Sequence, residues 1–167
     1  MKRQYLLIAS LVLAATVHAA AKTEHSSDAA AFARLKTLVG EWEADTRMGK
    51  THLSYELIAG GTALVERAAG EKMPVMVTVY HLDGDRLLLT HYCMAGNQPR
   101  MQARSFDAES GTVEFQFLDA TNLPAGAGHM HNAKFRLVDD NHLTEEWAFY
   151  ENGAPKFTET AAYARIR

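Results

Sequence analysis

The stretch SSDAAAFARLKTLVGEWEAD, Ser26–Asp45, changes its periodicity once, and that change decides the fold. Up to Gly40 the apolar residues Phe32, Leu35, Leu38 and Val39 recur at helical spacing on one side. Ser27 or Asp28 supplies an N-cap oxygen, and Gly40 supplies the stop. From Glu41 onward the period is two. Ten short segments with strand character follow, at about 42–48, 52–58, 62–69, 75–82, 86–94, 100–106, 112–118, 130–138, 142–150 and 157–166. Turn signals separate them. Gly60-Gly61, Asp83-Gly84 and Asn152-Gly153 accept the positive φ angles of tight hairpins, and DAESG and VDDN make slightly longer turns.

Nearly every connection is too short for a crossover, so each strand pairs antiparallel with its neighbours. Ten such strands leave two long edges or close on themselves, and closure removes the edges. The sequence therefore predicts an all-β chain: an up-and-down antiparallel barrel of about ten strands, with one N-terminal helix plugging one end. A sandwich is the alternative. No repeat, second domain or low-complexity tract interrupts residues 28–167, which read as one domain.

Residues 1–19 read as a signal peptide. Lys2 and Arg3 form the positive region, Tyr5–Val17 the short apolar run, and Val17 and Ala19 the small residues before a cut. Residues 20–27 read as a flexible leader. The expected location is outside the cytoplasm, in the periplasm, without stable membrane insertion after cleavage. Removing Lys2 and Arg3 leaves fifteen basic residues against twenty acidic, a formal charge of −5. That balance argues against nucleic acid, which needs a basic face, and against an electrostatic hold on anionic lipid. Cys93 is the single cysteine, so no internal disulfide is available and the thiol reads as a small buried hydrophobe.

Strand alternation sorts the side chains. Ala133, Phe135 and Leu137 form one inward set that extends back to His131 and His129. Leu87 and Leu89 share a face with His91 and Cys93. Leu143, Trp147 and Phe149 share one with Glu145. Val113, Phe115 and Phe117 form another, as do Leu53, Tyr55 and Leu57. Counting hairpins from the helix end puts His91, His129, His131, Met101, Trp147 and Phe149 near the opposite, open end. The connection at 119–128, DATNLPAGAG, arches over that end.

Three functional readings follow. In the first, His91, His129 and His131 orient the polar end of a small, largely apolar molecule. Tyr55, Met101, Phe115, Phe117, Glu145, Trp147 and Phe149 complete its site. In the second, the same three histidines bind zinc with Glu145 as base, or one of them ligates haem iron. In the third, the interior is filled and the barrel is a structural or interaction module. Arg100, beside the 95–99 loop, is a candidate partner for a ligand carboxylate. No G-x-S-x-G elbow, P-loop or H-E-x-x-H motif occurs, and the residues name no cofactor and no oligomeric state.

The segment VGEWEAD, with Gly40 and Trp42, resembles the G-x-W signature that opens the first strand of lipocalins and related calycin barrels. The wider pattern LKTLVGEWEAD…YELIAGGTALVER…VDDNHLTEEW is similar to exported bacterial lipocalin-like domains of unknown function, over roughly residues 32–167. The Thr-Asp-Tyr turn of true lipocalins is absent, so the likeness is to the wider calycin architecture. It implies that Trp42 packs at the closed end, that Arg165 or Arg167 lies over its ring, and that the barrel binds a ligand.

Overall fold

A computed structural model of the protein describes residues 27–167. The expected signal peptide and all but the last residue of the expected leader lie outside the described residues. A helix over 27–35 (α1) runs through a short 3-10 turn, Lys36–Leu38, into β1 (Gly40–Thr46). Nine strands follow: β2 (Gly49–Ile58), β3 (Ala63–Gly70), β4 (Met73–Asp83), β5 (Arg86–Tyr92), β6 (Gln98–Asp107), β7 (Thr112–Thr121), β8 (His129–Leu137), β9 (His142–Glu151) and β10 (Ala154–Arg165). They form a closed barrel in which each strand pairs antiparallel with its sequence neighbours and β10 returns to β1. The ten expected strands are all present. The helix sits where the sequence put it, across one end.

The helix is held by its apolar stripe and by two polar ties. Ala31, Phe32 and Leu35 are buried in the common core. Asp28 accepts the Leu87 N–H at 2.9 Å, and Arg34 donates to the Leu137 carbonyl at 3.4 Å. Leu87 begins β5 and Leu137 ends β8, so both ties lie at the same end of the barrel.

The seam between β1 and β10 closes beside Trp42. Its indole N–H donates to the Leu38 carbonyl at 2.8 Å, and the ring is fully buried. The Arg165 guanidinium lies 4.1 Å from the Trp42 ring. The same guanidinium donates to the carbonyls of Thr37, Val39 and Asp140, so one planar fork gathers the helix exit, the first strand and the β8–β9 turn. Gly40 is required here. Its φ is +130°, and a Cβ would fall 2.3 Å from the Arg167 carbonyl oxygen.

The barrel is packed in its lower half. Tyr80, Phe115, Phe135 and Trp147 meet edge-on, with ring centroids 5.5–6.2 Å apart, above Leu64, Leu87, Leu89, Met101, Val113 and Leu143. Phe115 and Met101, expected to line a ligand site, belong to this packed layer. Leu57, expected to point inward with Leu53 and Tyr55, is exposed near the end of β2.

Candidate functional site: a half-hollow barrel over a buried carboxyl pair

Above that layer the interior is open. A cavity of about 230 Å³ lies at the end away from the helix. Residues from β1–β5 and β8–β10 surround it. Leu53, Ala68, Trp147, Phe157, Ala161 and Tyr163 give an apolar wall, and Met48, Met73, Met76, Met94 and Met130 add five flexible thioethers. Methionine fits its chain to irregular shapes and is over-used on surfaces that accept varied apolar ligands. At the rim Arg47 pairs with Glu159 and packs over the Phe157 ring.

The floor is polar and buried. Glu66 from β3 and Glu145 from β9 are 2% and 3% exposed. The Tyr55 hydroxyl lies 2.5 Å from Glu145 Oε1 and 3.2 Å from Glu66 Oε2, so it bridges the two carboxyls. The Tyr80 hydroxyl donates to Glu66 Oε2 at 2.5 Å, and the Trp147 indole N–H to Glu145 Oε2 at 3.3 Å. Both hydrogen bonds that reach Glu66 therefore arrive on one oxygen. Alternation explains the meeting. Leu64, Glu66 and Ala68 share the inner face of β3, and Leu143, Glu145 and Trp147 that of β9, so each carboxyl replaces an apolar residue in a core-facing row.

Burial sets the protonation of this group. Loss of water, and then the charge of Glu145, hold Glu66 well above the usual carboxylate range. Burial pushes Glu145 up to about 7, against the hydrogen bonds from Tyr55 and Trp147. Tyr55 and Tyr80 are held as neutral phenols by burial and by the two carboxyls. Burial thus favours the protonated form of both carboxyls.

His91 from β5 faces the same cavity and is 3% exposed. Its Nδ1 is 3.0 Å from the Thr78 hydroxyl, its ring lies 4.8 Å from Trp147, and its Nε2 is buried with no partner. Burial pushes it down to about 4, so the ring is neutral. Trp147 thus touches both Glu145 and the His91 imidazole.

His129 and His131 lie elsewhere. Their sequence alternation is broken by a β-bulge: β8 shifts register against β9 between Met130 and Asn132, and Met130 takes the place on the cavity wall. Beyond Gln116, β7 pairs with β6 and no longer with β8. The two imidazoles fill that split. His129 Nε2 is 2.9 Å from His131 Nδ1, and His131 is sandwiched between Phe117 and Tyr150, with centroids 4.8 and 4.1 Å away. The three histidines therefore do not converge. Among the described residues no group of three or more His, Cys, Asp or Glu side chains is placed to hold a metal ion.

Of the other residues singled out in the sequence, Tyr55 reaches the floor through its hydroxyl. Phe149 stacks flat on Phe157 behind the wall, and Phe117 packs against the histidines. Arg100 is occupied by Asp119. Cys93 is buried, and burial raises its thiol. Sequence reading missed Glu66, Tyr80, Tyr163, Phe157 and the five methionines. Glu66 alone left a signal: a carboxylate in the inward row Leu64, Glu66, Ala68.

No family model and no curated protein matches this chain. Solved structures do. One is a protein of unknown function from the DUF3598 family of Nostoc punctiforme, with a TM-score of 0.53 and 14% identity. The match covers 79% of this chain and 49% of that one, so this chain spans about half its length. Another is Rv2717c from M. tuberculosis, with a TM-score of 0.56 and 15% identity, covering 82% of this chain and 98% of that one. At such identities the likeness is one of fold, a barrel shared with a neighbour whose function is itself unknown.

Proposed function

We propose that the protein is an exported small-molecule-binding barrel that holds a largely apolar ligand in the cavity opposite the helix. The observation that carries this is the combination of an apolar wall with one unpartnered buried polar atom, His91 Nε2, on it. An orphaned buried nitrogen costs stability unless something satisfies it, and a ligand polar group is the natural partner. Apolar walls with few fixed polar groups are the general form of small-molecule sites. The volume, about 230 Å³, selects a small occupant. The Trp42–Arg165 stack agrees with the resemblance to lipocalin-like barrels, which supports the same reading.

The test uses N-phenyl-1-naphthylamine, an uncharged apolar dye that brightens when it leaves water. We expect saturable binding to the wild type and its loss in Ala161→Phe, which fills the cavity from β10. Circular dichroism checks that the variant folds, with Ala68→Phe as the second filling variant. Equal binding to wild type and both folded variants, or no binding to any, rejects the cavity as the site.

A further inference from the structure

We infer that the ligand is a lipophilic organic cation, an alkyl ammonium class of molecule, whose charged nitrogen sits against the Glu66–Glu145 pair; this rests on the cavity being the ligand site. The cavity offers acceptors and withholds cations. Glu66 and Glu145 line its floor, and the groups that bind them are two tyrosine hydroxyls and an indole N–H, none of which carries charge. The one basic side chain on the lining besides His91 is Arg47, which stands at the exposed rim and is committed to Glu159. A buried carboxyl pair without a counter-charge is costly to ionise, and an entering cation supplies what the fold leaves out.

The remaining wall fits the same class. Trp147 and Tyr163 line the cavity with aromatic rings, and such rings attract cations through their faces. His91 is neutral, so its Nε2 adds no repulsion. Its Nδ1 contact with Thr78 allows the tautomer in which Nε2 accepts an N–H. An alkyl carboxylate would meet the opposite arrangement, with its charge set against two carboxyls and no basic group inside to receive it. The alkyl chain of an ammonium lies among the five methionines toward the rim.

Three probes of one chain length separate the possibilities: octylamine, octanol and octanoate, each titrated at pH 7.5 against bound N-phenyl-1-naphthylamine. We expect octylamine to displace the dye at about tenfold lower concentration than octanol, the factor a charge-assisted hydrogen bond supplies, and octanoate to be weakest. In Glu145→Gln the amine advantage over the alcohol shrinks toward one. Glu66→Gln serves as the second variant, and residual dye binding shows that each has folded. Octanol or octanoate matching octylamine on the wild type overturns the cation assignment and leaves the cavity reading intact. An amine advantage that survives in both variants removes the carboxyl pair from it. A wild type that binds neither dye nor probe overturns both readings.

Discussion

Replacing Glu145 by Gln should change how stability depends on pH, in a direction and size that follow from its burial. In the folded protein Glu145 holds its proton up to about pH 7, against 4.5 for the exposed group. Between those values the native state binds a proton that the unfolded chain has lost. Stability from this group is therefore complete below pH 4.5 and is lost as pH rises through 7. At 1.36 kcal/mol per unit, the loss is roughly 3 kcal/mol. His91 has the opposite sign: burial lowers it from 6.5 to about 4, so the unfolded chain binds the extra proton and stability falls as pH drops from 6.5 toward 4. The two slopes oppose each other in the shared window, and Glu66, also raised, adds to the fall of Glu145. The groups facing Glu145 are Tyr55, Glu66, Tyr80, His91, Trp147 and Tyr163, and only the two carboxyls and His91 titrate in this range. The clean readout is thus the difference between wild type and variant. Urea unfolding followed by circular dichroism, at intervals from pH 4.5 to 7.5, should show wild-type stability falling relative to Glu145→Gln by roughly 3 kcal/mol. Loss of Glu145 repulsion also lets Glu66 relax toward its ordinary range, which adds to the difference. Gln still accepts the Tyr55 hydroxyl, while its amide opposes the Trp147 N–H, a cost that does not vary with pH. A difference curve flat to within about 1 kcal/mol would refute the reasoning, because Glu145 would then titrate as a hydrated surface carboxyl.

Two further outcomes concern the frame of the site. Arg165→Ala removes three carbonyl hydrogen bonds and the stacking on Trp42, so urea unfolding should show a loss of about 3 kcal/mol. Arg165→Lys should recover only part, since an ammonium cannot span three divergent carbonyls with a planar fork. Gly128→Ala places a Cβ 2.4 Å from Phe149 Cζ, in a ring stacked on Phe157, and should cost about 1–3 kcal/mol in melting experiments. Phe149→Leu should recover most of that loss; no recovery would place the strain in the loop backbone instead.

The barrel was legible because its signals are local. Turn pairs such as Asn152-Gly153, both at positive φ, fix hairpin after hairpin, and the switch of period at Gly40 separates helix from sheet. The site was only half legible. Glu145 and Trp147 were readable because they lie in the alternating row Leu143, Glu145, Trp147, and His91 because it shares the parity of Leu87 and Leu89, although Leu88 between them is buried too. His129 and His131 were misplaced for the opposite reason: one extra residue in β8 breaks the row, and a bulge leaves no mark in a sequence whose neighbours HMHN all tolerate either face. Met48 and Met94 lie in connections, Met73 and Met76 on β4 and Met130 on β8, and only closure brings them around one space. Glu66 had the right parity, but a carboxylate flanked by Val65 and Arg67 reads as solvated until its partner across the barrel is known.

The seam at Trp42 sets an order of assembly. Every other strand pairing joins neighbours along the chain. The pairs Trp42↔Arg165 and Glu43↔Ala164, and the backbone bonds between Glu41 and residues 166–167, span well over a hundred residues. Loop closure of that length comes late and slowly. Until residues 164–167 dock, the sheet keeps two free edges, and the carbonyls of Thr37 and Val39 lack the Arg165 guanidinium. Edge pairing with another copy competes during that interval. Arg165 is then a latch as well as a brace: the residue whose arrival turns an adhesive sheet into a sealed vessel.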